Sequence, residues 1–215
     1  VALRRENEDK NLLIGHSEAA LQEAKRIQSF FLFYHDIKGL EERYIKNLYW
    51  SNTLKSMFIQ HQSNAKLIAF YQPIFNLKTK QIEKYEALAR IQEGDNIIPP
   101  FKFLDAAKQL NLLPHITKEM IEQTFKTVQN SKVECSINIT AQDLKDHSLL
   151  QYLEEASTRY ALSPSRIVLE ILEDEDIYEF IETIHTLKSK GFKIAIDDFG
   201  VGYSNFQKLQ QLEAN

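Results

Sequence analysis

Residues 166–198 read RIVLEILEDEDIYEFIETIHTLKSKGFKIAIDD. Two short apolar runs, RIVLEI (166–171) and FKIAIDD (192–198), bracket a helical stretch at about 177–190. Strands separated by a helix of ten to twenty residues form a βα unit, and the two strands lie parallel. Upstream, VECSINI (133–139) precedes another helical stretch at about 141–158. The rhythm therefore runs three times, and the last strand leads into GVGYSNFQKLQQL (200–212). Cores such as IVLEI and IAIDD are nearly continuous apolar runs, as expected of strands covered on both faces.

Further upstream the pattern changes. In AFYQPIFNLKTKQIEKYEALARI (69–91), two apolar runs flank a polar turn near Lys78–Gln81. That gap is too short for a helical crossover, so these strands form an antiparallel hairpin. A break follows at EGDNIIPP, and helices are expected at Phe101–Leu110 and about Ile116–Val128. A hairpin followed by parallel strands can begin a doubly wound sheet or a barrel.

The first 61 residues are less regular. Ser17 is a candidate N-cap for a short helix to about Ile27, with Ala20, Leu21, Ala24 and Ile27 on its apolar side. FFLFY (30–34) reads as a buried strand. From Leu40 to His61, residues Leu40, Tyr44, Leu48 and Tyr49 recur at helical spacing, followed by Leu54, Met57 and Phe58. A connecting helix is the plain reading. Tyr49 and Trp50, taken as exposed, are the hint of a helix that pairs two copies of the chain.

Bulk composition excludes several classes. The chain has 215 residues, 43% hydrophobic and 26% charged, with a formal net charge of -4. That balance offers no basic surface for polymeric nucleic acid or a membrane. An anionic substrate would need a local cation. The single cysteine, Cys135, rules out a disulfide framework, and a buried reduced thiol fits a cytoplasmic setting. The start of the chain is charged and unlike a signal peptide. No apolar run reaches the ~20 residues that cross a bilayer, although a longer parent could carry an anchor elsewhere.

The informative acids share a position near the C-terminal ends of strands. Glu86 lies close to the end of the second hairpin strand, Asn138 late in the third strand, Glu170 late in the fourth, and Asp197 and Asp198 close the fifth. In a barrel, the C-terminal face holds the active site. Carboxylates with an amide oxygen form a hard-oxygen shell suited to Mg²⁺ or Mn²⁺. Each residue also has a plainer reading. Glu86 can be a solvated carboxylate, and Asn138 can cap the following turn. Glu170 lies between Leu169 and Ile171, where an unpaired charge is costly, so it belongs to a site or to an ion pair. Adjacent strand residues point opposite ways. Asp197 and Asp198 therefore face one ion only if the strand breaks, and Gly200 and Gly202 supply that break.

These stretches together resemble the EAL domains that hydrolyse cyclic di-GMP. The resemblance rests on Glu86-Ala87-Leu88 within YEALAR, on YQPIF (71–75), SINIT (136–140), IVLEILED (167–174) and IAIDDFGVGYSNF (194–206), and on IIPPFKFLDAAKQLNLL (97–113). It covers about residues 69–215. It implies a modified (βα)₈ barrel with one antiparallel strand, incomplete in this chain and preceded by a connector helix. Glu86, Asn138, Glu170 and Asp197 then resemble ligands of one metal ion and Asp198 a ligand of a second. Glu86, Asp197 and Asp198 are thereby implied in catalysis. Gln72 and Arg90 resemble nucleotide-binding positions, and a guanidinium fork suits phosphate oxygens. Glu173 resembles the acid that supports the loop containing Phe199, Gly200 and Gly202. The implied reaction cleaves one phosphodiester of cyclic di-GMP to linear pGpG, using two Mg²⁺ or Mn²⁺ ions about 4 Å apart.

HSEAALQEAKR (16–26) and FFLFY resemble, more loosely, the tail of a GGDEF domain. The expected organisation is a GGDEF-like remnant at 1–38, a connector helix at 39–66 and the first part of an EAL domain at 67–215. A homodimer through the EAL domain or the connector is a further expectation. The match stops where the family enters its next strand, so the lysine-isoleucine-aspartate motif and a later glutamate are expected in a longer parent. Leu172 and Val201 stand where the family usually carries threonine. Each loses a hydroxyl, which keeps open a receptor that binds cyclic di-GMP with weak or no turnover.

Overall fold

The computed structural model describes residues 10–26, 29–33, 40–172 and 179–197. Helix α1 (Lys10–Arg26) opens the described chain. It begins well before Ser17, whose hydroxyl donates to the Leu13 carbonyl at 2.9 Å from inside the helix. Ser17 is therefore not a cap. Its hydroxyl back-bonds to the preceding turn, a common use of serine within a helix. Ala20 and Ala24 are buried as the spacing predicts, but Leu21 is exposed. At Gly15 an added Cβ would lie 2.5 Å from the Tyr44 hydroxyl, so only glycine lets helix α2 (Leu40–Lys55) approach this closely.

The strand expected at 30–34 does not form: residues 29–33 are irregular, Phe30 and Phe31 are exposed, and Tyr34 lies outside the described residues. A strand needs a continuous ladder to satisfy its backbone groups, and apolar composition alone does not supply one. Helix α2 widens into a π-helical turn at Ser56–Gln60 and stops at His61, in the left-handed region at φ 55°. Trp50 is 6% exposed and lies 6.2 Å from the Phe103 ring. The expectation that Trp50 is exposed is thus wrong: with Leu54, it is the side of α2 that packs on the domain.

Strands β1 (Lys66–Asn76) and β2 (Gln81–Glu93) form the expected antiparallel hairpin, with Gln72 opposite Glu86. Asn76 sets the turn, its Oδ1 accepting from the amides of Lys78 and Thr79 at 2.9 and 3.3 Å. The break at EGDNIIPP contains a short strand, β3 (Asn96–Ile98), that pairs back on β2. Two helices follow, α3 (Leu104–Gln109) and α4 (Leu113–Val128). On α4, the buried Leu113, Ile116, Met120, Ile121, Phe125 and Val128 recur at helical spacing, and Pro114 sits in the first turn, where its missing N–H costs nothing.

Strand β4 (Glu134–Ile139) leads into α5 (Ala141–Lys145) and α6 (Leu149–Arg159). One helix was expected at 141–158. Asp146 divides it: its backbone is extended, its Oδ1 accepts from the Ser148 amide at 2.9 Å, and its Oδ2 accepts from Lys118 at 2.6 Å. An Asp that bonds the amide two residues on competes with helix continuation. Strand β5 (Ile167–Leu172), α7 (Ile181–Ser189) and β6 (Lys193–Asp197) complete the rhythm.

The strands form one mixed sheet in the order β1-β2-β4-β5-β6, with β3 beside β2. Only the hairpin contacts are antiparallel; β2, β4, β5 and β6 run parallel. This is an α/β architecture of the (βα)-barrel type, one of the two arrangements the spacing leaves open and the one the family resemblance implies. The core lies between the sheet and its helices, around Ile91, Phe103, Phe125, Ile137, Leu153 and Leu169. Burying a side chain of that size stabilises the fold by roughly 1.5–3 kcal/mol. On the side of β1 away from β2, the Gln123 side chain accepts from the Ala69 amide at 2.8 Å and donates to the Leu67 carbonyl at 2.9 Å.

Candidate functional site

Strand periodicity and ladder register decide which side chains meet. Along β2, Lys84, Glu86, Leu88 and Arg90 take one face, while Tyr85, Ala87, Ala89 and Ile91 take the other. Register carries that face across the sheet. Glu86 lies beside Ser136, Asn138 beside Glu170, and Glu170 beside Ala195, with Asp197 two residues further on. On β1, Gln72 is directly opposite Glu86. Gln72, Glu86, Arg90, Asn138, Glu170 and Asp197 therefore share one face. The opposite face carries Cys135, Ile137, Ile139, Leu169 and Ile171 into the helix-covered core.

A side-chain contact joins two of these residues. Asn138 Nδ2 donates to Glu86 Oε1 at 3.1 Å, so Asn138 engages its neighbouring strand rather than capping the next turn. The cap there is Thr140, which forms a reciprocal pair with Asp143. Glu86 is mid-strand rather than near the end of β2, because β2 continues to Glu93 to pair with β1 and β3. Its ladder with β4 ends one residue later, at Ala87. Asp197 is the last residue of β6 and is exposed. Arg90 Nη1 donates to the Ala89 carbonyl at 2.8 Å, and its guanidinium carbon is 5.7 Å from the Phe70 ring centre.

Glu170, read from the sequence as part of a site or of an ion pair, is ion-paired on this face. Its Oε1 accepts from Lys84 Nζ at 2.6 Å, with the two side chains 13% and 24% exposed. Lys84 belongs to none of the motifs in the sequence. The available signal was its place two residues before Glu86, which puts it on the same face. A second ion pair, Lys193 with Glu134, lies on that face as well. Ser136 Oγ, beside Glu86, is buried and has no hydrogen-bond partner among the described residues. On the other face, burial pushes the Cys135 thiol up to about 12, so it is neither a nucleophile nor a ready ligand.

Asp198, Glu173, Phe199, Gly200, Val201 and Gly202 lie outside the described residues. Among the described residues, no three His, Cys, Asp or Glu side chains gather closely enough to hold a metal ion by themselves. The described donor set is instead mixed, with the carboxylates of Glu86 and Glu170 flanking the Asn138 amide. Beside Asn138 lies a mainly apolar cavity of about 230 Å³, lined by Leu88, Pro100, Leu104, Leu113, Met120 and Thr140 among others. No helix among the described residues is long and apolar enough to cross a membrane.

Comparison with known proteins gives the same residues a family. The protein named probable cyclic di-GMP phosphodiesterase PdeA of Escherichia coli (strain K12) is 31% identical over 173 residues, covering 76% of this chain and 23% of that protein. The curated relatives compared are longer, and the chain spans between 18% and 32% of their lengths. Among solved structures, the PaMucR phosphodiesterase in complex with c-di-GMP superposes with a TM-score of 0.64 at 27% identity, covering 69% of this chain and 67% of that one. The Bacillus subtilis YkuI protein, with an EAL domain and in complex with substrate c-di-GMP and calcium, gives 0.63 at 25% identity, covering 78% and 42%. The EAL domain profile itself matches residues 54–215, and the chain belongs to the EAL domain family.

Proposed function

We propose that the protein containing this chain hydrolyses one phosphodiester of cyclic di-GMP to linear pGpG with the help of Mg²⁺ or Mn²⁺. The observation that carries this reading is the register that sets Glu86, Asn138 and Glu170 on neighbouring strands of one face, with Asn138 bonded to Glu86. The relatives named as cyclic di-GMP phosphodiesterases and the complex with c-di-GMP and calcium support it.

The donor set fits a hard divalent ion: two carboxylates and an amide oxygen, with Asp197 further along the same face and Asp198 next to it in sequence. Ser136 adds a buried hydroxyl without a partner among the described residues. When bound, such ions would offset the phosphate charge and lower the pKa of a nearby water. The chain's own residues do the rest. Glu86, Asn138, Glu170, Asp197 and Asp198 would hold the ions. Gln72 lies opposite Glu86 and would contact the nucleotide. Arg90 would present its guanidinium to phosphate oxygens once released from Ala89. Glu173 and the Phe199–Gly202 segment would support the loop that follows Asp197. With a net charge of -4, the chain repels an anionic substrate, and local cations must offset that.

A second reading, a receptor that binds cyclic di-GMP without turnover, is favoured by the Lys84 ammonium on Glu170 and by Leu172 and Val201 in place of threonine. Under either reading, 39–66 acts as a connector, 67–215 as the EAL segment and 1–38 as a separate GGDEF-like piece. A cytoplasmic location and dimerisation belong to the same proposal. The test incubates the full protein with cyclic di-GMP and Mg²⁺, then Mn²⁺, and measures pGpG. Turnover that disappears with a chelator and in Glu86→Ala supports hydrolysis. Turnover retained in Glu86→Ala sinks it, and nucleotide binding without turnover leaves the receptor.

A further inference from the structure

Among the described residues, the Lys84 ammonium sits directly on a proposed ligand. It projects from β2, reaches across β4 and ends on the Oε1 of Glu170 in β5 at 2.6 Å. Both ends are largely shielded, at 24% and 13% exposure. An ion pair removed this far from water resists screening more than a surface pair does. Another lysine on this face, Lys193, is held by Glu134, which pairs with Lys84 two residues below the Glu86 level. Lys84 thus places a cation directly on a proposed ligand carboxylate, and Glu170 has a positive partner within the chain itself.

Resting on the metal reading above, we propose that Lys84 is a built-in counter-ion for Glu170. It stabilises the metal-free site and competes with the incoming divalent ion, thereby setting the metal concentration at which the site loads. Two carboxylates that converge without a cation raise each other's energy. The ammonium relieves this in the metal-free protein. A divalent ion on Glu170 must then either displace the ammonium or share the carboxylate with a positive charge a few ångströms away, and both weaken its binding. Lys84 is a positioning residue here, and no step of the reaction is assigned to it.

The experiment titrates Mn²⁺ into the full chain by calorimetry and follows thermal unfolding with and without Mn²⁺. It compares the unaltered chain with Lys84→Met and Lys84→Arg. Lys84→Met should bind Mn²⁺ at least about tenfold more tightly and, without metal, melt about 2–4 °C lower. Lys84→Arg keeps the charge and should stay within about threefold of the unaltered affinity. A merely structural lysine would lower the melting temperature without tightening Mn²⁺ binding. Equal or weaker binding in Lys84→Met therefore overturns the proposal while leaving the metal site standing. No Mn²⁺ binding by the unaltered chain overturns both. Lys84→Gln carries the same comparison if the methionine variant does not fold.

Discussion

The two faces of the parallel sheet are made by the same strands and do opposite jobs. On β4, Cys135, Ile137 and Ile139 point into the helix-covered core, while Glu134, Ser136 and Asn138 point the other way. On β5, Leu169 and Ile171 alternate with Glu170 in the same manner. The first face holds the fold together by excluding water. The second gathers charge that a fold alone would avoid, since burying carboxylates costs free energy unless they are paired. Ion pairs and an amide hydrogen bond offset that cost. The contrast teaches that the packed core and the polar face of this domain are separated by odd and even residue numbers along one strand.

The comparison can be broken by substitutions whose effects on stability should fall in a definite order. The largest belongs to the covered face. Phe125, fully buried under the sheet, should cost about 3–5 kcal/mol when changed to alanine, read from urea unfolding. Next is the turn out of β4. Thr140→Ala removes the reciprocal cap with Asp143 and should cost about 1–2 kcal/mol in the same measurement.

A smaller, pH-dependent effect belongs to Asp146. The hydrogen bond from Lys118, helped by Ser148, holds its carboxyl at about 2, below the usual 3.8. A depressed carboxylate stabilises the fold above its unfolded pKa and loses that contribution as pH falls through the folded value. Asp146→Asn should therefore cost about 1 kcal/mol at pH 7, after allowance for solvent screening, and the gap to the unaltered chain should close between about pH 4 and 2. Smallest of all is Glu86→Gln, which should change stability by less than about 1 kcal/mol despite its central place. A loss as large as that of Phe125→Ala would make Glu86 part of the core and erase the division between the faces.

Much of this was legible in the sequence because it depends on period and spacing. The three parallel strands follow from apolar runs set a helix apart, and the hairpin from the short gap after Asn76. The shared face of Glu86, Asn138 and Glu170 follows from their positions in those strands. What was not legible depends on partners distant in sequence. FFLFY has strand composition, but composition supplies no ladder partner. Trp50 reads as exposed until Phe103, more than fifty residues later, folds against it. The helix at 141–158 divides because Asp146 meets Lys118 and Ser148. Lys84 escaped notice for the same reason: its partner lies 86 residues away and two strands across the sheet.

The central claim is that the polar face is a divalent-metal site, and the most direct test is crystallographic. Crystals of the full protein soaked in Mn²⁺ should show an anomalous peak at the manganese edge bounded by Glu86, Asn138 and Glu170, at about 2.0–2.3 Å from their oxygens. A peak elsewhere, or none on that face while Glu170 keeps its bond to Lys84, would contradict the account.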